Sequence, residues 1–424
     1  MIAEFFTFLQ HLPVGVLNLI IVFLIVVIMM MVLMALRWHL FPALLAGAVL
    51  IAVFSQKSAL YIGKLFVQNC IDWSTLNLLL MVFLINFLAQ IMKKVGGLSR
   101  FASGAEYLLR GSRLGVASIP MFVGLLPMPG GSLMTAPMIE EQAKPHNIKP
   151  GLLVYINYWF RHVWEYFWPL YPGVILVLAV VDIPYKVFFR NVAFISIAAV
   201  VLGLITLFAF VRRRQERPKR VRGKLKQSLK DILYGVFPVL LIMVLIATLQ
   251  IPFSIPVSLL ALLVIVIVII VYKVSIKDLP LLLAKAFNWG VLAMLFAILF
   301  FRRILISSNA LSELKVLLET ASPAAITLLV ILLPFFVGLL VGLNQGYVGA
   351  TFPLLASFIS HDYGLLMLAY VFGFMGCLLS PAHLCLYLSK DYFKASWGGV
   401  YKWLLPSVLG LGIIAFGAFY LFFR

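Results

Sequence analysis

The sequence predicts an all-α membrane protein of about ten transmembrane helices in two inverted repeats, each with a re-entrant hairpin and a broken helix. Three observations predict it. Hydrophobic residues make up 64% of the 424 positions and charged residues only 11%, with a mean hydropathy of +1.12, far more apolar surface than a soluble core of this length buries. One strongly basic stretch divides the apolar chain near its middle. The word FVGLL occurs at 122–126 and again at 336–340, each time followed by a glycine-containing polar gap, a threonine and a proline.

The basic stretch is residues 212–230, RRRQERPKRVRGKLKQSLK, which holds ten of the 33 lysines and arginines. A formal charge of +19 raises the question of nucleic acid. Concentration of that charge in a hydrophilic linker between two apolar halves points instead to a cytoplasmic loop under the positive-inside rule, in contact with anionic headgroups. Cys70, Cys377 and Cys385 are too few and wrongly spaced for a disulfide frame or a zinc site. The apolar run 12–36 is too long for a signal-peptide core and is expected to be a retained span.

The two halves, 1–211 and 232–424 around a linker at 212–231, list the same elements in the same order. The first half reads as spans near 14–36 and 39–54, an amphipathic stretch at 56–71, a span at 73–92 and a second amphipathic stretch at 98–112. A hairpin at about 114–142, a broken helix at 150–182 and a closing span at 184–210 follow. The second half reads as 232–249, 255–272, 275–287, 289–305 and 307–320, then a hairpin at about 323–360, a broken helix at 363–389 and a span at 397–423. Asp72-Trp73 is echoed by Asn288-Trp289, and Tyr158, Phe160 and Pro169 recur as Tyr370, Phe372 and Pro381 at the same spacing. Such ordered self-similarity marks duplication. An odd number of crossings per half makes the halves inverted, and the lysines and arginines then gather on the side of the loop, with both termini outside.

Each hairpin follows from a break that α-helix cannot cross. In the first it is Pro127-Met128-Pro129-Gly130-Gly131-Ser132, and in the second Gly342-Leu343-Asn344-Gln345-Gly346. Arg113 before the first, and Glu140, Glu141 and Lys144 after it, put both of its ends on one side. A pair of ordinary kinked spans is the alternative. Backbone freed at membrane depth is tolerated only where protein or an aqueous cavity satisfies it, so the breaks are expected to line a cavity.

The broken helices carry the polar residues. Asn157, Arg161 and Glu165 fall at i, i+4 and i+8 on one stripe, with the break expected just beyond Glu165 at Pro169. Buried charge at this depth faces the protein interior. Arg161 reads as an anion partner and His162 or Glu165 as a proton-coupling group, or else Arg161 and Glu165 pair to lock the helix. Trp159, Trp164, Phe167 and Trp168 read as packing or interfacial anchors rather than a ligand cage. The second break holds Ser380 and Pro381, with His383 just past it as either a ligand contact or a satisfied interior group. Half-helix N-termini suit an anion. The oxygens of Ser132, Thr135, Asn344, Gln345 and Thr351 suit a small cation, with Na⁺ expected near Ser132, Thr135, Asn344 and Thr351.

With those residues in view, the chain resembles the ion transporter superfamily of secondary carriers, which includes gluconate permeases and divalent-anion:sodium symporters. NYWFRHVWEYFWPLYPG and LSPAHLCLYLSKDYF look more closely like the uncharacterised prokaryotic domain-of-unknown-function family 401. The resemblance implies a substrate site between hairpin tips and broken helices, with tips at Pro129-Gly130-Gly131-Ser132 and Asn344-Gln345-Gly346. It also implies elevator-type alternating access, a prokaryotic cytoplasmic membrane and a homodimer. The sodium-coupled relatives carry Ser-Asn-Thr words at the tips, and neither tip here does.

The expected function is therefore secondary active transport of a small, carboxylate-like organic anion coupled to Na⁺ or H⁺, with Na⁺ as the one cofactor to consider. A passive channel or lipid-carrier translocator is the alternative. An intramembrane enzyme fits less well, because no HExxH and no paired intramembrane aspartates are present to activate water. A Walker-type loop for ATP drive is also missing from the sequence.

Overall fold

The computed structural model describes residues 14–36, 38, 41–109, 112–125, 127, 131–212, 224–249, 255–308 and 322–424. These residues are helical, and no strand occurs among them. In the first half the helices are α1 (Val14–Ala35), α2 (Phe41–Phe54), α3 (Ala59–Ile71), α4 (Trp73–Lys94), α5 (Gly97–Leu109), α6 (Arg113–Val123), α7 (Gly131–Ala143), α8 (Pro150–His162), α9 (Pro172–Val181) and α10 (Tyr185–Phe210). The second half supplies α11 (Lys224–Leu249), α12 (Ile255–Val271), α13 (Leu279–Ala286), α14 (Trp289–Ser307), α15 (Pro323–Val341), α16 (Asn344–Ile359), α17 (Tyr363–Leu379), α18 (Leu384–Tyr392) and α19 (Trp397–Phe422). The stretch expected at 307–320 lies almost wholly outside the described residues.

Among these, α4, α10, α14, α15, the run Tyr363–Tyr392 and α19 are long and apolar enough to cross a membrane. Their outward faces agree: Ile197 on α10 is 67% exposed and Ile413 on α19 is 74% exposed, exposure that water would oppose and lipid would not. The coarse class is a multi-pass, all-helical membrane protein. The shorter α2, α6 and α9 are apolar as well. Helix α11 begins at Lys224, inside the basic stretch, so the end of that stretch is the polar first turn of a helix.

The chain forms two compact units, and each takes segments from both sequence halves. The first comprises residues up to Leu79, Leu176–Ile183 and Trp289–Ser380; the second comprises Leu80–Ile175, Pro184–Asn288 and Pro381–Arg424. In the first unit α17 is the buried axis and packs on α15 and α16. Close approach of α15 and α17 depends on glycine. A Cβ on Gly376 would lie 2.0 Å from the Phe335 carbonyl oxygen, and one on Gly338 would lie 2.1 Å from that of Gly373. Gly342, at φ +64°, ends α15 in the left-handed conformation that favours glycine, and α16 restarts two residues later.

In the second unit α8 is the axis. Every residue from Gly151 to His162 is buried, enclosed by α6, α7, α10, α18 and α19. The segment from α6 to α7 starts and ends at the same place. Arg113, its first residue, donates to the carbonyls of Phe208 and Val211 at 2.7 and 3.2 Å, and His146, just after α7, donates from Nδ1 to the Arg212 carbonyl at 2.9 Å. Both ends are therefore fastened to the C-terminal end of α10.

Candidate functional site

The polar residues of the second unit converge where α6 gives way to α7 and where α8 ends. Gly124 follows α6, and a Cβ there would lie 2.1 Å from the Arg161 carbonyl oxygen. Gly131 opens α7, and a Cβ there would lie 2.3 Å from a guanidinium nitrogen of Arg161. The two ends of the interruption between α6 and α7 thus meet one residue, its backbone at Gly124 and its charge at Gly131. Gly130 lies outside the described residues.

Aromatic side chains satisfy the backbone that the interruption frees. Trp164 donates from Nε1 to the Met121 carbonyl at 2.7 Å, Trp168 to that of Leu125 at 2.9 Å, and the Tyr171 hydroxyl to that of Gly124 at 2.6 Å. Trp159 donates to the Ala199 carbonyl at 2.9 Å. These rings act as structural anchors, and the carbonyls at the end of α6 find protein donors.

Helix α8 ends at His162, not beyond Glu165 at Pro169 as the stripe implied. The His162 side chain folds back on that last turn, its Nδ1 donating to the Tyr158 carbonyl at 2.6 Å. The chain then proceeds in turns, with Glu165 N–H bonded to the His162 carbonyl at 3.2 Å. Asn157 and Arg161 share a helical face, whereas Glu165 lies past the helix.

Asn157 is fully engaged. It donates to the Ser132 carbonyl and the Ser389 hydroxyl, each at 3.0 Å, and its Oδ1 accepts from Thr135 at 2.5 Å. The carboxamide therefore joins α7, α8 and α18, and Thr135 spends its proton in that clamp. Ser132 is different: its hydroxyl oxygen is buried with no hydrogen-bond partner among the described residues.

Glu165 Oε1 lies 3.6 Å from His162 Nε2, and His162 Nε2 lies 3.2 Å from Nε2 of His383, the residue that caps the N-terminus of α18. The sulfur of Cys385 lies beside both imidazoles and the Arg161 guanidinium. Sequence spacing argued against a metal role for any cysteine, but the fold brings Cys385 together with His162 and His383, their donor atoms within 4.8 Å of one another. The written clue was the short word His383-Leu384-Cys385 at the start of a half-helix.

The remaining predicted residues lie in the first unit. Asn344 donates to the Tyr370 hydroxyl at 3.2 Å while its Oδ1 is buried without a partner. Thr351 donates to the Tyr347 carbonyl one turn back, at 2.8 Å. Gln345 is half-buried, Gly346 packs on Val341, and Ser380 is fully buried at the end of α17. The oxygens expected to share Na⁺ are thus divided, Ser132 and Thr135 in one unit and Asn344 and Thr351 in the other.

The family described as Protein of unknown function (DUF401) matches residues 16–421. The chain belongs to that family. The match covers both units and every residue of the site just described, so the DUF401 family is the frame for this chain from its first described helix nearly to its end. No curated protein matches it.

Proposed function

We propose that this DUF401 protein is a secondary active transporter for a small organic anion, carboxylate-like in chemistry, coupled to Na⁺ or H⁺. The observation that carries the proposal is the Arg161 guanidinium, 97% removed from solvent and laid against Gly131 at the first turn of α7. The N-terminal amides of a helix present partial positive charge, so guanidinium and helix end together favour an anion beside them. A charge at this depth costs about 2.5–3.5 kcal/mol on insertion scales, which favours a reason for keeping it. The unpartnered Ser132 hydroxyl on the same turn supplies a donor to the same ligand.

The finer architecture belongs to this proposal: ten spans, inverted repeats, re-entrant hairpins and an elevator motion, in the cytoplasmic membrane of a prokaryote as a homodimer with both termini outside. Fastening of Arg113 and His146 to one end of α10 supports the first hairpin. Interruptions in both halves, between α6 and α7 and between α15 and α16, support the duplication. We read the protein as a carrier and not an enzyme, and the resemblance to the ion transporter superfamily supports that choice.

Thermal unfolding of detergent-purified protein against citrate, succinate, gluconate, phosphate and sulfate, each with and without Na⁺, tests the reading. A ligand bound only by the native state at about 100 times its dissociation constant adds ~2.7 kcal/mol. Stabilisation by a carboxylate is the expected result, with Na⁺ dependence identifying the coupling ion. A flat response to the whole panel would count against the anion assignment.

A further inference from the structure

We propose that His162, His383, Cys385 and Glu165 form a binding site for a divalent transition-metal ion of the Zn²⁺ class. All four residues belong to the second unit, and all four are buried. They come from the two places where broken helices are interrupted: His162 ends α8, Glu165 follows it in a turn, His383 caps α18, and Cys385 lies in its first turn.

The distances are those of a coordination shell before it tightens. A tetrahedral ion with Zn–N bonds of about 2.0–2.1 Å places neighbouring ligand nitrogens roughly 3.3 Å apart. The two Nε2 atoms are 3.2 Å apart, and Glu165 Oε1 lies 3.6 Å from His162 Nε2. Because the imidazole nitrogens and the cysteine sulfur lie within 4.8 Å of one another, small side-chain rotations close the shell.

Tautomer and charge agree. The Tyr158 carbonyl holds the proton of His162 on Nδ1 at 2.6 Å, which leaves the Nε2 lone pair facing the cluster; an outer hydrogen bond of this kind commonly orients a metal-binding histidine. Two neutral imidazoles, a thiolate and a carboxylate carry two negative charges against the one positive charge of the neighbouring Arg161 guanidinium, so the cluster keeps a net negative charge that favours a cation. Imidazole and thiolate donors select borderline-soft ions such as Zn²⁺ and Co²⁺ over Na⁺, Mg²⁺ and Ca²⁺. The rival account of the 3.2 Å contact is a simple N–H···N hydrogen bond between the histidines. This inference does not depend on transport: a flat anion panel leaves it standing.

The test is Co²⁺ loading of the purified, chelator-stripped full chain in detergent, read by absorbance and by bound cobalt after desalting. The expected result is about one Co²⁺ per chain, with thiolate-to-cobalt charge transfer in the near ultraviolet and tetrahedral d–d bands in the visible, both removed by Zn²⁺. The double variant Cys70→Ser, Cys377→Ala keeps Cys385 as its one cysteine and should retain the spectrum, whereas Cys385→Ser should lose the charge-transfer band. Folded wild-type protein that binds no Co²⁺ would overturn the proposal. So would a band that survives in Cys385→Ser or is absent from the double variant, and neither the wild-type nor the double-variant measurement requires the site to tolerate substitution.

Discussion

Gly124 lies so close to Arg161 that a methyl group on it would meet the arginine's carbonyl oxygen at 2.1 Å, while Gly131, at the other end of the same interruption, would meet the guanidinium at 2.3 Å. The two contacts differ in kind. The first is backbone held inside a buried helix; the second is the end of a flexible side chain.

Gly124→Ala should therefore destabilise the protein by about 1–3 kcal/mol or prevent folding, since overpacking against fixed backbone has no cheap relief. Gly131→Ala should fold and lose anion-dependent stabilisation, because the guanidinium must move. Equal unfolding temperatures for Gly124→Ala and wild type would show that the close approach is absent.

Asn157 makes three hydrogen bonds to α7 and α18. Leaving buried partners unsatisfied costs about 1–3 kcal/mol each at most sites, so Asn157→Ala should lower stability by roughly 2–4 kcal/mol, and Thr135→Val by about 1 kcal/mol. Thermal unfolding in detergent decides it; an unchanged melting point for Asn157→Ala would sink the clamp.

Trp164→Phe and Trp168→Phe keep most of the ring packing and remove only the indole donors to Met121 and Leu125. Each should cost about 1–3 kcal/mol, and the double variant should expose the α6–α7 segment to protease. Undiminished protease resistance would mean that these bonds do not hold the interruption.

Asp72 caps α4, accepting from Thr75 N–H at 2.9 Å and Thr75 Oγ1 at 3.1 Å, and pairs with Arg303 at 3.1 Å. Burial alone would raise its pKa, but the Thr75 bonds and then Arg303 outweigh it and hold the carboxylate below its usual range. Its folded pKa being the lower one, the stability it gives is present above the unfolded value of about 3.9 and is lost as pH falls through the folded value. Asp72→Ala should cost about 0.5–2 kcal/mol near neutrality and flatten the acid limb of a pH–stability curve. Identical acid limbs would contradict the assignment.

Proline and glycine carried most of what was legible in advance. The interruption around Pro127 to Gly131 and the one around Gly342 were readable because neither can continue a helix, and α7, α16 and α18 resume close to where the sequence placed them. The end of α8 at His162 was not readable, because no proline or glycine stands between Arg161 and Pro169 to mark it. Cys385 was hidden for another reason: its partner His162 lies over two hundred residues away, and ligand spacing along a chain says nothing about donors brought together by two broken helices. The aromatics of NYWFRHVWEYFW were legible as anchors, but their acceptors, the carbonyls at the end of α6, became visible only in the fold.

The most direct test of the central claim is anion binding with and without the Arg161 charge. Whichever carboxylate most stabilises the wild-type protein is titrated against Arg161→Lys and Arg161→Gln by calorimetry, with Cys70→Ser, at an exposed position, as a folded control that keeps Arg161. The account predicts at least tenfold weaker binding in Arg161→Lys, where the point charge remains but the planar fork is lost, and no measurable binding in folded Arg161→Gln. Wild-type affinity in folded Arg161→Gln would contradict it.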